Sequence, residues 1–385
     1  MSDPATGYLP DEALQPARAD HPTGLLPSYV LRALVRSGEI AAANGVGEDQ
    51  VQPASLDLRL GRTAWRVRAS FLPGPDACVA DRVERFRMHE IDLTGGAVLE
   101  RGCVYIVPLQ ERLRLPTRIS GVANPKSSIG RLDVFTRLIT DRATEFERID
   151  AGYEGPLYVE ISPRAFSIVV RAGSRLNQLR LRRGSPVVGE AALRRLHDEV
   201  GLVDRALGRE ERLAEGISIR VDLAPRENGG PIGYKARKHA GLIDIDRTAF
   251  YDLHEYWEPV APGRGGGIVL DPDDFYVLAS KEAVTVPPTH AAEMRAYDTF
   301  VGEFRVHYAG FFDPGFGYGD AAGGTRAVLE VRSHEVPFLL DDGQVVGRLI
   351  YERLTGLPDK LYGGAIGSSY QRQRLQLAKQ FKPVA

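Results

Sequence analysis

Four polar side chains that could bind an anion lie close together in the segment NPKSSIGRLDVF, residues 124–135. Two hydroxyls, Ser127 and Ser128, stand between two cations, Lys126 and Arg131. The run is too polar for a core strand and lacks helical periodicity, which predicts a turn. Hydroxyl, guanidinium and backbone N–H donors in a turn form a nest that binds an anion such as a polyphosphate. An N-capped turn with solvated charges is the alternative that the segment alone leaves open.

A second segment, RIDAGYEGPLYVEISP (148–163), carries carboxylates that could move protons. In LYVEIS the two apolar residues that flank the glutamate share one face of a strand, so Glu160 shares the opposite face with Tyr158. A glutamate removed from water has a raised pKa and exchanges protons near neutral pH. The alternatives are a surface glutamate and, for Arg148 and Asp150, a salt bridge at the rim of a site.

The sequence disfavours several other kinds of catalytic site. Hydrolytic zinc sites of the paired-cysteine type need a Cys-x-x-Cys motif and a further His or Cys ligand. This chain has two isolated cysteines and eight scattered histidines, none of them at His-x-x-x-His spacing. A P-loop, a dinucleotide-binding fingerprint and a Gly-x-Ser-x-Gly elbow are also missing. We therefore expect no protein-bound zinc.

The elements that must position these residues are mainly short β-strands. LLPSYVLRALVRSGEI (25–40) has helical spacing, with Ser28 as the expected N-cap and Gly38 as the stop. VQPASLDLRLG alternates leucines with Asp57 and Arg59, which is typical of a half-buried strand. Short apolar runs separated by turn residues follow, and this spacing predicts an all-β barrel or sandwich.

The second half of the chain repeats the pattern of the first. CVYIVPL (103–109) resembles DFYVLAS (274–280), and YVEISP (158–163) resembles LEVRS (329–333). RIDAGYEG resembles FFDPGFGYG in the same order, and AGSRLNQLRL resembles DGQVVGRLIY. A charged, helix-prone stretch separates the two copies. We therefore predict a mobile tail (1–24), a catalytic β-domain (25–200), a second and degenerate β-domain (201–385), and a solvated connecting helix within 190–216.

Composition indicates a soluble cytoplasmic protein with a small-molecule ligand. Apolar residues make up 43% of the chain and charged residues 26%, and no run approaches the ~18 apolar residues of a membrane span. The N-terminus lacks the features of a secretory signal, and two cysteines cannot build a disulfide framework. The 49 basic and 51 acidic residues give a net charge of −2. We expect neither nucleic acid nor membrane as a partner, so a local cluster must hold any anionic ligand.

Four motifs in order resemble a known family. The motifs are, in order, the first helix with QPASLDLRLG, then PKSSIGR, RIDAGYEGPLYVEIS and SSYQRQR (368–374). Together they are similar to the dCTP deaminase branch of the trimeric dUTPase-like superfamily, in its double-length form. The resemblance covers most of 25–182 and, more faintly, 217–375. It implies a mainly β chain of two tandem, distorted β-barrel domains of jelly-roll-like type with a few short helices. It also implies a homotrimer with sites at subunit boundaries.

The resemblance implies a role for each motif residue. Arg131 would polarise the reacting centre, Ser127 would contact the attacking water and Glu160 would be the catalytic proton shuttle. The implied substrate-binding residues are Lys126, Ser128, Arg148, Asp150, Tyr370, Gln371 and Gln373, the last three closing over the phosphates. Magnesium would arrive on the triphosphate and need no protein cage. Thymidine triphosphate is a possible feedback ligand by the same resemblance.

The implied reaction is hydrolysis of dCTP to dUTP and ammonia, which supplies dUTP for dTMP synthesis. Water attacks C4 of cytosine, and Glu160 relays protons to N3 and to the leaving amine. A Glu160→Gln variant should then fold and release no ammonia. The second copy reads AEMRAYDTF where the first reads NPKSSIGRL, without either serine. We therefore expect Glu330 not to be catalytic and the second domain to serve assembly.

Two alternatives stay open from the sequence. IDAGYEG also resembles the dUTPase segment whose aspartate activates water, so Asp150 could make the enzyme bifunctional, with dUMP and pyrophosphate as products. A nucleotide-binding regulator on the same fold is the other alternative. The loop 132–147 is longer than expected for single-domain enzymes, which leaves its base-pocket residues unassigned.

Overall fold

The computed structural model describes residues 22–225, 230–263, 266–296, 304–306, 310–319, 323–333, 336–363 and 375–383. Within these ranges the chain is mainly β with a few short helices, as the sequence predicts. We call residues 22–188 the N-terminal half and residues 189–383 the C-terminal half. The predicted tail lies outside the described residues up to residue 21, whereas Gly24 already belongs to a strand.

The strands of the N-terminal half are β1 (Gly24–Leu25), β2 (Ile40–Ala42), β3 (Leu56–Leu58), β4 (Thr63–Val67), β5 (Arg87–Asp92), β6 (Ala97–Leu99), β7 (Val104–Arg114), β8 (Ile119–Pro125), β9 (Val134–Thr140), β10 (Arg148–Ile149), β11 (Glu154–Pro163), β12 (Ile168–Val170) and β13 (Asn177–Arg183). Its helices are α1 (Ser28–Arg36), α2 (Val79–Phe86) and α3 (Ser127–Gly130).

The strands of the C-terminal half are β14 (Ile217–Arg220), β15 (Gly233–Ala236), β16 (Ile243–Asp244), β17 (Trp257–Val260), β18 (Gly267–Leu270), β19 (Phe275–Val284), β20 (His290–Ala296), β21 (Phe304–Val306), β22 (Phe311–Phe312), β23 (Thr325–Ser333), β24 (Phe338–Asp341) and β25 (Val345–Arg353). Its helices are α4 (Glu190–Val200) and α5 (Leu253–Tyr256).

The two halves share one arrangement of sheets. In the N-terminal half, β13, β8 and β10 are successive neighbours in one sheet, and β7, β11 and β9 are successive neighbours in another. In the C-terminal half, β25, β20 and β22 form the first series, and β19, β23 and β21 form the second. The pair of β6 and β12 likewise matches the pair of β18 and β24. The internal repeat seen in the sequence is therefore present in the order of the strands.

Strand register corrects one detail of the internal alignment. Pro125 pairs with Asn177 in the N-terminal half, and Ala296 pairs with Gly347 in the C-terminal half. The segment after Pro125 therefore corresponds to the segment after Ala296. This correspondence differs by three residues from the alignment of AEMRAYDTF with NPKSSIGRL that the sequence indicates. The counterparts of Lys126, Ser127 and Ser128 are then Tyr297, Asp298 and Thr299, which lie outside the described residues. Both serines are absent from the second copy in either alignment.

Three local predictions change because their residues are buried. Ser28 is the first residue of α1 and not its N-cap, which is Pro27, and its hydroxyl contacts Asp359 of the C-terminal half. Asp57 of β3 does not face solvent, since it is only 2% exposed. The connecting helix α4 is not fully solvated either, because Leu193 is buried in the core of the C-terminal half. Each of these residues contacts a neighbour that no local pattern identifies.

An apolar core continues from one half into the other. Phe166 of the N-terminal half packs edge-on against Tyr256 and Trp257, with ring centroids 5.8 and 5.4 Å apart. Near the end of the chain, Phe381 packs against Trp257 at 5.9 Å. In addition, β16 joins β12 as a parallel neighbour, so a strand of the C-terminal half extends a sheet of the N-terminal half. This packing fixes the surface at which the two halves meet, and the candidate site lies at that surface.

Candidate active site

The segment 126–131 forms a tight turn between two strands. It begins where β8 ends and contains α3, a single helical turn in which the Gly130 and Arg131 amides donate to the carbonyls of Lys126 and Ser127 at 3.0 and 3.1 Å. Ser128 is buried and Ser127 is half-buried. The alternative of a solvated surface turn therefore does not describe this segment.

Lys126 forms an ion pair with Asp57. The carboxylate of Asp57 lies on β3, which pairs with β13, and Arg175 approaches the same carboxylate at 4.0 Å. Two cations thus surround one buried acid beside the 126–131 segment. The basic character predicted for this segment is present, but part of it is neutralised within the protein.

Arg131 links the segment to the end of the chain. Its side chain is 4% exposed, and Nη1 donates to the carbonyl of Gln376 at 2.9 Å. Three residues later, burial and the neighbouring Lys126 ammonium lower the pKa of Lys379. The chain is held there because the Ala249 amide donates to the Lys379 carbonyl at 2.9 Å. The C-terminal segment 375–383 therefore adds a cation to the site.

Glu330 of β23 approaches the 126–131 segment from the C-terminal half. A methyl carbon placed on Gly130 would lie only 2.7 Å from Oε2 of Glu330 and 3.0 Å from Oε1. The carboxylate therefore packs directly against the backbone at residue 130, where glycine leaves room for it. A side chain at this position would displace an acid that lies 200 residues further along the chain.

The surroundings of Glu330 favour its protonated form. Its side chain is 6% exposed, and burial raises its pKa to about 8. The Arg131 guanidinium opposes this increase, and the Asp133 carboxylate adds to it. Asp133 is itself held by a buried ion pair with Arg332, which lies two residues beyond Glu330 on β23. A carboxyl group of this kind can release and take up a proton near neutral pH.

Asp313 is the second acid that the C-terminal half brings to the site. It follows β22 and is 7% exposed. Burial raises its pKa, Arg180 and Lys126 oppose that increase, and Asp57 adds to it. Asp313 therefore lies within electrostatic range of the Lys126–Asp57 pair, and Arg180 donates to its Oδ1 at 3.1 Å.

Glu160 lies on β11 of the N-terminal half and has a different partner. It is 1% exposed, and its Oε1 accepts from Nη2 and Nε of Arg137 at 2.6 and 3.0 Å. Arg137 is the cross-strand partner of Glu160 on β9, and its guanidinium lies 3.6 Å from the ring centroid of Phe146. The structure thus pairs Glu160 with Arg137 and brings Glu330 to the 126–131 segment.

The other residues implied by the resemblance are distributed as follows. Arg148 and Asp150 are exposed, and Arg148 pairs with Glu145 at 2.8 Å instead of with Asp150. Tyr370, Gln371 and Gln373 lie outside the described residues. The structure therefore brings together Lys126, Ser127, Ser128 and Arg131 with two acids of the C-terminal half.

Four contributions to the site were missed in the sequence. Glu330 and Asp313 are the repeats of Glu160 and Asp150, but the absence of the serines from the second copy argues against a catalytic Glu330. For Asp57, strand alternation predicts the polar face of a half-buried strand and not its burial beside Lys126. Lys379 had no motif to mark it. The signal that could have found the two acids was the repeat itself, once the site is built from both copies.

Metal-binding and membrane-spanning features are not found in the described part of the chain. No group of three or more His, Cys, Asp or Glu side chains there is placed to hold a metal ion. No helix in the same ranges is long and apolar enough to cross a membrane.

Comparison with known proteins matches both halves of the chain. The family model for the 2'-deoxycytidine 5'-triphosphate deaminase (DCD) N-terminal domain matches residues 22–185, and the model for the C-terminal domain of the same enzyme matches residues 189–381. Among solved structures, the 2'-deoxycytidine 5'-triphosphate deaminase from Agrobacterium tumefaciens is 55% identical, with a TM-score of 0.82. The match covers 87% of this chain and 100% of that chain.

Curated relatives match a smaller part of the chain. A protein of Halobacterium salinarum named dCTP deaminase, dUMP-forming, is 31% identical over 126 residues, which is 32% of this chain and 60% of that protein. The dCTP deaminase of Natronomonas pharaonis is 27% identical over 191 residues, or 49% of this chain and 90% of that protein. The chain thus spans about three fifths of the first of these relatives. From the match of both family models and of the Agrobacterium structure, the chain belongs to the two-domain 2'-deoxycytidine 5'-triphosphate deaminase family.

Proposed function

We propose that this protein hydrolyses dCTP to dUTP and ammonia at one composite site in each chain. The N-terminal half supplies the triphosphate-binding segment, and the C-terminal half supplies the proton-transferring acid. The observation that carries the proposal is the buried carboxylate of Glu330 against Gly130, beside Arg131. Membership of the family supports dCTP as the substrate.

In the proposed reaction Glu330 takes the role that the sequence assigned to Glu160. Water attacks C4 of cytosine, and Glu330 accepts a proton from the water as the new C–O bond forms. The proton passes to N3, and a second transfer through Glu330 to the exocyclic amine lets the C–N bond break and ammonia leave. Arg131 stabilises the charge that develops at the tetrahedral centre, because an oriented cation in a buried site needs little reorganisation.

The remaining residues of the site bind the substrate in this proposal. Ser127 and Ser128 donate hydroxyls to the triphosphate, and Lys126 and Lys379 supply positive charge. Asp313 accepts a hydrogen bond from a sugar hydroxyl. Magnesium arrives on the triphosphate. Because the sequence has no paired-cysteine motif, the attacking water is activated without zinc.

Several features of the assembly are proposals that rest on the resemblance. They are two tandem dUTPase-like barrels, a homotrimer, a cytoplasmic location and dTTP as a feedback ligand. The matching order of the sheets in the two halves supports the tandem arrangement.

The products formed from dCTP test the activity itself. Purified protein incubated with dCTP and magnesium should yield dUTP and an equal amount of ammonia, resolved by ion-exchange chromatography. Formation of dUMP and pyrophosphate would identify the bifunctional alternative. Tight binding of dCTP without any product would identify a regulator and contradict the proposed activity.

The assignment of the proton-transferring acid gives a sharper prediction. Glu330→Gln should lower kcat by about 10²–10⁴-fold or more, because an amide cannot relay protons. Glu160→Gln is the matched control and should keep most of the wild-type turnover, because the Glu160 carboxylate is paired with Arg137. Circular dichroism would verify that both variants fold. Loss of turnover in Glu160→Gln with turnover retained in Glu330→Gln would reverse the assignment.

The raised pKa of Glu330 predicts a pH dependence of stability. The pKa is 4.5 in an unperturbed glutamate and about 8 in the folded protein, so the folded state binds more protons than the unfolded state between these values. Wild-type stability should therefore fall as pH rises through this window, relative to Glu330→Gln. Thermal melts of both proteins at pH 6 and pH 8.5 measure this, and the Tm of the variant minus that of wild type should be larger at pH 8.5. A difference that shrinks as pH rises would contradict the burial of a protonated Glu330.

A further inference from the structure

Arg180 is a fully buried arginine at the surface where the two halves meet. It lies on β13 of the N-terminal half and has no measurable exposure. A buried guanidinium is costly unless its charge and its donors find partners. An arginine in the middle of a sheet strand therefore needs partners for both its charge and its N–H groups.

The partners of Arg180 lie in the C-terminal half. Nη1 donates to the Ala292 carbonyl at 2.9 Å, and Nη2 donates to the Phe312 carbonyl at 2.9 Å and to Oδ1 of Asp313 at 3.1 Å. Its guanidinium carbon lies 4.0 Å from the ring centroid of Phe311. The contacts with Phe311, Phe312 and Asp313 hold the turn that follows β22.

The same turn supplies the acid that the proposed site uses. Asp313 lies within electrostatic range of the Lys126–Asp57 pair, so its orientation decides what it presents to a ligand on the 126–131 segment. The Phe312 carbonyl and the Asp313 carboxylate both accept from Nη2 of Arg180, so the two groups are held together. Arg180 therefore holds this carboxylate in place and favours its ionised form against the effect of burial.

We propose that Arg180 is a positioning residue for substrate binding: from the N-terminal half it holds the Asp313 carboxylate of the C-terminal half in place at the active site. This inference rests on the proposed function, because it assigns Asp313 to contact with dCTP. It adds a residue that no motif of the sequence marks. It also explains why a charged side chain occupies the interior of β13.

The charged groups around this contact determine its response to pH. Asp313 is acted on by Arg180, Asp57 and Lys126, and Arg180 also faces Glu352 of β25 at 3.6 Å. The further charged groups that act on Glu352 are Glu293, Arg182 and Arg295. Burial raises the pKa of Asp313 and Arg180 opposes this, so a weaker contact should let Asp313 take up a proton at a higher pH.

Arg180→Lys tests the inference because it keeps the positive charge and removes the guanidinium group that makes these contacts. We expect the KM for dCTP to rise about tenfold at pH 6, with a smaller change at pH 8.5 and with kcat changed much less than KM. Asp313→Asn should raise KM at both pH values. Adding Arg180→Lys to Asp313→Asn should raise KM much less than Arg180→Lys does in the wild type, because the carboxylate through which Arg180 acts has been removed.

Arg182→Lys is the matched control. Arg182 lies two residues along the same strand and donates to Ser120 within the N-terminal half at 3.3 Å, so its substitution should leave the KM profile unchanged. If Arg180→Lys lowers Tm but leaves the pH profile of KM at its wild-type shape, Arg180 is only structural and the inference is overturned. An equal effect of Arg180→Lys with and without Asp313→Asn would also overturn it.

If Arg180→Lys does not fold, Phe311→Leu replaces it as the test, because it loosens the guanidinium without removing a charge. Phe311→Leu should then raise the KM for dCTP more at pH 6 than at pH 8.5. An unchanged KM in this variant overturns the inference. If wild-type protein does not deaminate dCTP, the proposed function fails, whereas a normal wild-type enzyme with an unaffected Arg180→Lys variant refutes only the role of Arg180.

Discussion

The close approach of the Glu330 carboxylate to the backbone at Gly130 is the contact on which the rest of the site depends. A buried carboxyl group needs either a proton or a nearby cation, and here burial, Arg131 and Asp133 set the balance between the two. The approach is possible because residue 130 has no side chain. It also requires the two halves to be docked firmly, which the continuous apolar core and the buried ion pair of Asp133 with Arg332 provide.

In the proposed function the two structurally similar halves carry different parts of one site. The N-terminal half keeps the hydroxyls and cations of the 126–131 segment, and the C-terminal half keeps the buried acids Asp313 and Glu330. The repeat of Glu330 in the N-terminal half, Glu160, is neutralised by Arg137. In this proposal the second copy lacks the serines and still supplies the proton-transferring acid.

Periodicity and motifs in the sequence predict much of the fold and one side of the site. Alternation in LYVEIS places Glu160 opposite Val159 and Ile161, and the repeat predicts two equivalent sets of strands, because both follow from local pattern. Local pattern does not show which distant segment of the chain packs against a given strand. The burial of Asp57, the interdomain contacts of Arg180 and the choice between Glu160 and Glu330 all depend on such long-range packing. The repeat marks Glu330 as a candidate, but only the packing of the two halves brings it to the 126–131 segment.

The central claim, that one chain completes its own site with Glu330, is tested most directly by mixing inactive chains. A Glu330→Gln chain and an Arg131→Ala chain would be co-expressed with different tags and isolated as mixed assemblies, and ammonia release from dCTP would be measured. A site built within one chain predicts that the mixed assemblies stay as inactive as each variant alone, because every chain then lacks one essential group. Recovery of turnover in the mixed assemblies would show that Glu330 serves the 126–131 segment of another chain, and would contradict the account.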